Sequence, residues 1–317
     1  MKVLIVHPCK GFYGGAEEVV VQLTRYLVGN GHDVQIVTKD APKELFEGIT
    51  DKKGQPAVYD WGSWRMMRWW TQKLSGWADV VNVHNFPATL TTFPKRVPTV
   101  YMCNEPAELF TNWWRKPIEA FNRWWVRKSG MKIVVADQVN AQRFFKIYGV
   151  EPAIIPYGVD YEFWSKVDSR KESRLTILQV GHSEFFAQGK QIFAEVQKEI
   201  PEAVLVQLTR KSHEEVRYWY GKAHVLLHPV RSQGGWLVPF EAMCARLPVV
   251  TTQEFSASSL ITRNRLGIVT LDPSEVILQR RYEELDTKAI REWVKENSTW
   301  EKFGESMVKV FEEALNV

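Results

Sequence analysis

Short apolar runs alternate along the chain with longer stretches whose apolar positions recur at three- and four-residue spacing. The run at 2–6 reads as a buried strand, 16–28 as a helix closed by Gly29 and Gly31, and 34–38 as the next strand. This βαβ rhythm continues through 79–83, 99–102 and 133–136, whose β-branched residues on both faces suit a parallel sheet covered by helices on two sides. A Rossmann-like domain is expected over 1–165. A Pro- and Gly-containing stretch at 155–160 and a polar, charged segment at 168–174 follow, and the linker is expected there. The rhythm restarts at 176–180, 204–207, 224–227, 249–251 and 268–270, which predicts a second, smaller doubly wound domain over 166–298. Two such domains leave a cleft at the C-terminal edges of their strands, the expected place for an active site. The last stretch, 299–317, is amphipathic through Trp300, Phe303, Met307, Val308, Val310, Phe311 and Leu315, and is expected to dock as a helix on one of the domains.

Composition adds little to this α/β picture until it is resolved along the chain. The 317 residues are 45% hydrophobic and carry a net charge of only +4, too slight to argue for a nucleic-acid binder. Between residues 61 and 128, however, ten basic residues face four acidic ones, so the basicity is local. Cys9, Cys103 and Cys244 form neither a disulfide framework nor a CxxC metal motif, which suggests a reducing compartment. The apolar start is shorter than a signal-peptide core, and no eighteen apolar residues run together. Any membrane contact is therefore expected to be peripheral, at the cytoplasmic face.

The stretch SQGGWLVPFEAMCARLPVV at 232–250 is the most informative in the chain. A strand runs into a loop with Gly234 and Gly235, and a helix then begins near Leu237 with Pro239 in its first turn, where a missing N–H does no harm. Small residues let backbone N–H groups, Trp236 and Leu237 included, approach an anion, and the helix N-terminus adds partial positive charge, so the arrangement suits a phosphate. Glu241, about one turn into that helix, can accept hydrogen bonds from a sugar diol; it can equally be a carboxylate answering the helix dipole. GGAEEVVVQL, from Gly14 and Gly15, repeats the strand–glycine–helix logic, although paired glycines also mark ordinary tight turns. Neither GxGxxG nor GxxxxGK[ST] occurs, which disfavours dinucleotide oxidoreductases and P-loop NTPases.

These residues carry a resemblance. GGAE at Gly14, ADVVNVHN ending at Asn85, AIIPYGVDYEFW from Ala153, GKAHVLLHPV from Gly221, GGWLVPFEAMCARLPVV and STWEKFGESMVKVFEEAL make the chain similar, over most of its length, to the family-4 retaining glycosyltransferases. The resemblance implies the GT-B architecture of two facing Rossmann-like domains. It also implies transfer of a hexose-type sugar, with retention, from a nucleotide diphosphate donor such as a UDP- or GDP-sugar to a glycan or lipid-linked acceptor, without a required cofactor or metal. Carried over by position, Glu241 matches the second Glu of the family's E-x7-E motif and binds the donor ribose. Gly14 and Gly15 match the loop near the donor phosphates, and His84 matches the histidine that contacts the transferred sugar. The last helix is implied to return to the N-terminal domain.

The chain also departs from the family. Gln233 stands where the first Glu of E-x7-E is usual, so a hydrogen-bonding group survives but a charge does not. His182 replaces the diphosphate-binding Arg, and Lys190 is displaced from the usual Lys position. A charge-assisted phosphate contact is worth about 1.5–3 kcal/mol, so the donor binds about tenfold or more weakly unless Lys190 or Arg210 compensates. The usual glycines after the strand at 249–251 are replaced by QEFSASS. These departures motivate the competing reading of a degenerate GT-B module that binds a glycan or partner without turnover.

Nine of the fourteen Trp residues lie between 61 and 125. In WGSWRMMRWWTQKLSGW, Trp64 and Trp69 interleave with Arg65, Arg68 and Lys73; in NWWRKPIEAFNRWWVRK, Trp113 and Trp124 interleave with Arg123 and other cations. Amphipathic, basic, Trp-rich segments suit the headgroup region of an anionic membrane, which predicts a lipid-linked acceptor at the inner leaflet. The alternative is a sugar-stacking platform for a soluble glycan; single-stranded nucleic acid is disfavoured. Asn104 and Glu105, after the strand at 99–102, are expected near acceptor or sugar, and Asp160 is expected to cap or orient the linker.

Overall fold

The computed structural model describes residues 1–9, 14–41, 45–49, 56–104, 113, 116–181, 186–230 and 236–316. The chain divides into two compact units, 1–156 with 300–317, and 157–299. In the first unit the order is β1 (Lys2–Pro8), α1 (Gly15–Gly29), β2 (Asp33–Lys39), β3 (Ala57–Asp60), α2 (Trp64–Leu74), β4 (Val80–His84), β5 (Thr99–Met102), α3 (Lys116–Ser129), β6 (Lys132–Val135), α4 (Gln138–Tyr148) and β7 (Ala153–Ile154). These strands form an all-parallel sheet in the order β3-β2-β1-β4-β5-β6-β7. Val3 to Val6 and Val80 to His84 are buried throughout, because central strands of a sheet covered on both faces have no solvent side. The chain order reverses between β1 and β4, making their C-terminal ends the topological switch point of this sheet.

The second unit runs through α5 (Tyr161–Trp164), β8 (Thr176–Val180), α6 (Phe186–Glu199), β9 (Val204–Leu208), α7 (His213–Lys222), β10 (Val225–His228), α8 (Leu237–Cys244), β11 (Val249–Thr252), α9 (Ser258–Asn264), β12 (Ile268–Thr270), α10 (Pro273–Leu278) and α11 (Thr287–Asn297). Its parallel sheet has the order β12-β11-β10-β8-β9, with a switch point between β8 and β10. Gly181 leaves β8 with φ 146°, a conformation that side-chain-bearing residues rarely adopt.

The division falls after Pro156, ahead of the 165/166 boundary expected from the charged segment. Long-range contacts explain the difference. Val159 N–H donates to Ser298 O, Ser298 Oγ donates to Tyr157 O, and the Trp164 ring packs edge-on against Tyr220 of α7, so residues 157–164 already belong to the second unit. Asp160 caps α5 by accepting from Phe163 N–H at 2.9 Å. The strands β3 and β7 add to those expected from the sequence.

The final helix, α12 (Trp300–Leu315), belongs to the first unit and packs on α1. The approach is close at Gly304, where an added Cβ would fall inside van der Waals contact of the Tyr26 ring. Gly304→Val should therefore cost about 1–3 kcal/mol through overpacking. Thermal unfolding checks this, with a lowered midpoint expected relative to Gly304→Ser, whose added group is smaller.

Candidate active site

In the first unit the switch point places His7, at the end of β1, beside His84, at the end of β4, with ring centroids 5.5 Å apart and planes nearly perpendicular. Both are fully buried. Asn82, two residues before His84 on the same strand face, donates its amide N–H to Val100 O, which turns Oδ1 toward His84 at 2.7 Å. An amide oxygen only accepts, so His84 Nε2 carries the proton and Nδ1 is left with its lone pair. No partner meets that Nδ1 among the described residues. Burial, and then the charge of His7, hold the His84 pKa well below 6.5, so the ring is neutral near pH 7. The result is a fixed, neutral acceptor suited to a substrate hydroxyl. The following residue, Asn85, adopts φ 58° and accepts from the Asn104 backbone N–H at 2.8 Å, tying the ends of β4 and β5 together.

The other side of His7 meets Glu17 in the first turn of α1, with Nε2 3.4 Å from Oε1. Burial opposes ionisation of Glu17, but the hydrogen bond and charge of His7 outweigh it and lower its pKa. Cys9 hydrogen-bonds Thr38 Oγ1 at 3.3 Å, and burial pushes its thiol up to about 12. His7, Cys9 and Glu17 bring their ligand-type atoms within 4.8 Å of one another, the one such grouping among the described residues. Glu17 hydrogen-bonds His7 and a protonated Cys9 hydrogen-bonds Thr38, so the cluster braces the end of β1 against α1 and β2. Gly14 is the N-cap of α1 in an extended conformation and Gly15 its first residue.

In the second unit the switch point is where the chain leaves β8 toward 182–185 and β10 toward 231–235. His182, Gln233, Gly234 and Gly235 lie in those segments, outside the described residues, as does Glu105. The helix α8 starts at Leu237, as the sequence predicts. Its Glu241 is half-buried, and the Tyr220 hydroxyl donates to Oε2 at 3.0 Å. Burial and the Glu241 charge keep that phenol protonated. Trp236 and Leu237, expected at the donor, have buried side chains; the Trp236 ring stacks on Phe240 at 4.4 Å and meets Tyr157 edge-on, and its Nε1 has no partner among the described residues. Lys190 is exposed on α6, one turn from its start.

Several polar groups that sequence reading passed over sit near these ends. Thr252 Oγ1, at the end of β11, and Ser256 Oγ, in the segment that replaces the family glycines, are buried without a partner among the described residues. Orphaned hydroxyls of this kind each cost about 1–3 kcal/mol unless a ligand or water satisfies them. His7, Glu17, Asn82 and Tyr220 also contribute polar groups to these sites. A signal for Asn82 existed: a lone amide inside an otherwise apolar strand needs a partner.

The Trp-rich segments form α2 and α3. Met67, Thr71 and Leu74 turn α2 inward and leave Trp64, Arg65, Met66, Arg68 and Trp69 exposed. Asn122, Trp125 and Val126 do the same for α3, leaving Phe121, Arg123 and Trp124 exposed. Both helices clamp the 88–94 segment: Arg68 Nη2 donates to Phe93 O at 3.1 Å, and the Phe93 ring meets Trp125 at 4.9 Å. Lys73 lies over the Trp69 and Trp70 rings, 4.8 and 4.6 Å from their centroids. Trp113 is 79% exposed. No helix among the described residues is long and apolar enough to cross a membrane.

Residues 13–163 match the family model Glycosyltransferase Family 4, and residues 161–279 match Glycosyl transferases group 1. No curated protein matches by sequence. Among solved structures, the chain is similar to sucrose-phosphate synthase from Thermosynechococcus elongatus (TM-score 0.75, 12% identity, 99% of each chain covered). It is similar to Anabaena HepE in complex with UDP-glucose (TM-score 0.75, 13% identity, 99% of this chain and 100% of that one). It is also similar to WaaG, described as a glycosyltransferase involved in lipopolysaccharide biosynthesis (TM-score 0.58, 18% identity, 100% and 99%). The fold is that of the GT-B glycosyltransferases.

Proposed function

Because the chain belongs to glycosyltransferase family 4, we propose that it transfers a hexose-type sugar, with retention, from a UDP- or GDP-sugar to a glycan or lipid-linked acceptor at the inner membrane surface. The observation that carries the donor assignment is Glu241, held by Tyr220 on the helix that follows the switch-point strand β10. A carboxylate so oriented accepts two hydroxyls of a ribose. Thr252 and Ser256 offer hydroxyl donors to the diphosphate, where His182 leaves a family cation missing. Lys190, Trp236 and Leu237 amides and the 231–235 loop complete the donor set, and Gly14 and Gly15 belong to the phosphate side.

His84 receives a hydroxyl of the transferred sugar at Nδ1. The sugar–phosphate C–O bond breaks, the diphosphate leaves with the electron pair, and the acceptor oxygen bonds the anomeric carbon on the face just vacated. The acceptor proton passes to a diphosphate oxygen, so the chemistry calls for no protein nucleophile, cofactor or metal. Asn104 belongs to the acceptor side.

The outward faces of α2 and α3 favour the membrane reading over a sugar platform, because Trp64, Trp69 and Trp124 are exposed on the same helices as the exposed Arg65, Arg68 and Arg123. Assay of nucleotide release over a UDP- and GDP-sugar panel, with and without lipid-linked acceptors, tests the activity. Turnover with one donor class is expected, whereas binding without any release would establish the degenerate module instead. Co-sedimentation with phosphatidylglycerol vesicles at low salt tests the location: Trp69→Ala combined with Trp124→Ala should weaken it severalfold, and no binding by the wild type would end the membrane reading.

A further inference from the structure

A cavity of about 560 Å3 opens in the first unit, within the size range of ligand sites. It is lined by the 94–98 segment, the first residues of β5 and β6, the last turn of α3 with the following glycine, and Ala314 of α12. Because all strands of this sheet are parallel, the first residues of β5 and β6 mark its N-terminal edge, opposite the edge that carries His7 and His84. The cavity therefore has no part in the candidate active site.

Its charge is one-sided. Lys95, Arg96, Lys128 and Lys132 line it, and no carboxylate does. Lys132 lies 3.8 Å from Glu313 in an exposed pair, which is weak. Lys95 Nζ is fixed by Ser129 O at 2.9 Å and lies 3.4 Å from Gly130 O, so its ammonium is positioned rather than roaming. Arg96 and Lys128 have no carboxylate within 4.0 Å among the described residues. Gathering four cations with only one weakly paired carboxylate beside them costs self-repulsion, which a bound polyanion would relieve. The rest of the wall includes the apolar side chains of Trp125, Val97 and Pro98.

We propose that this cavity binds a phosphate ester, the phosphate among Lys95, Arg96, Lys128 and Lys132 and a short organic stem against Trp125. The shared chemistry could be presented by a phospholipid headgroup or by a free phosphorylated metabolite. The site needs only the cavity and stands independently of the sugar-transfer and membrane readings. Trp125 does connect it to the exposed aromatic face, through Phe93 and Trp124.

Calorimetric titration with sn-glycerol 3-phosphate at low salt provides the test, comparing wild type with Arg96→Ala/Lys128→Ala. The wild type should bind, and the double variant should bind about tenfold or more weakly with an unchanged melting temperature. Lys128→Glu alone should give a similar loss if the double variant folds poorly. In parallel, co-sedimentation with phosphatidylglycerol and phosphatidylcholine vesicles separates the sources. Loss of phosphatidylglycerol binding in the same variant identifies a headgroup site, and unchanged vesicle binding with weakened glycerol phosphate identifies a soluble ligand. Equal glycerol phosphate binding by wild type and variants, or none by the wild type together with vesicle binding that the variants do not alter, overturns the proposal.

Discussion

Replacing Glu241 by alanine should raise the KM for the nucleotide-sugar donor about 100-fold or more while kcat changes far less. Hydrogen bonds to a charged acceptor are worth about 1.5–3 kcal/mol each, and a ribose diol makes two. The ribose is remote from the bond that breaks, so the lost interaction is nearly the same in ground and transition states and falls on KM. The helix-dipole alternative predicts only a small stability change. Its effect fades beyond the first helical turn, and Glu241 is the fifth residue of α8, whose first turn holds no acid. Tyr220→Phe provides the graded comparison, since it leaves the carboxylate in place but removes the hydroxyl that orients it. A loss of about tenfold, again on KM, is expected there. Steady-state kinetics with varied donor, alongside thermal melts, checks both variants; a lowered melting temperature with unchanged KM in Glu241→Ala would remove Glu241 from the donor site.

What was legible in the sequence follows from burial. Strands 99–102 and 176–180 coincide with β5 and β8, because central parallel strands must be apolar on both faces and so stand out as runs. The strands that escaped are edges. β3 shows half-exposed and exposed residues in alternation, and both residues of β7 are exposed, so neither makes an apolar run. The division after Pro156 escaped for a different reason. Residues 157–164 are claimed by partners as far away in sequence as Ser298, which local composition does not register. In the candidate site, motif position singles out Glu241 and His84, whereas their hydrogen-bond partners carry no such signal. Tyr220 and Glu17 are ordinary residues on amphipathic helices until the fold brings them to Glu241 and His7. Trp236 shows a second effect of packing that sequence does not display: its indole is buried and stacks on Phe240 at the start of α8.

The second large effect belongs to Asn82. Because its amide orientation is set by Val100 O, it dictates that His84 Nε2 is the protonated nitrogen and Nδ1 the acceptor. Asn82→Asp substitutes a carboxylate of nearly the same shape, and a charge within hydrogen-bonding distance favours the imidazolium. His84 Nδ1 would then carry a proton and repel, rather than accept, a sugar hydroxyl. The expected result is a fall in kcat of about 100-fold near pH 7, with partial recovery as pH rises and the ring loses its proton. Wild type should show no such acidic limb near pH 6.5, since its His84 titrates well below that value. His84→Ala should lower kcat by a similar factor without any pH-dependent recovery, which separates charge from mere loss of the side chain. Stability gives an independent reading of the same ring. In wild type the unfolded chain takes up a proton below about pH 6.5 that folded His84 refuses, so acid destabilises the protein, and stability is regained as pH rises through that range. Glu17 acts in the same direction at lower pH, because its depressed pKa makes its contribution present above about 4.5 and lost as acid protonates it. In Asn82→Asp the His84 share of that acid sensitivity should shrink or reverse, because the folded state would then bind the proton more readily. Chemical denaturation at pH 5.5 and 7.5 measures it, and an unchanged difference between the two pH values in the variant would show that Asn82 does not control the His84 proton.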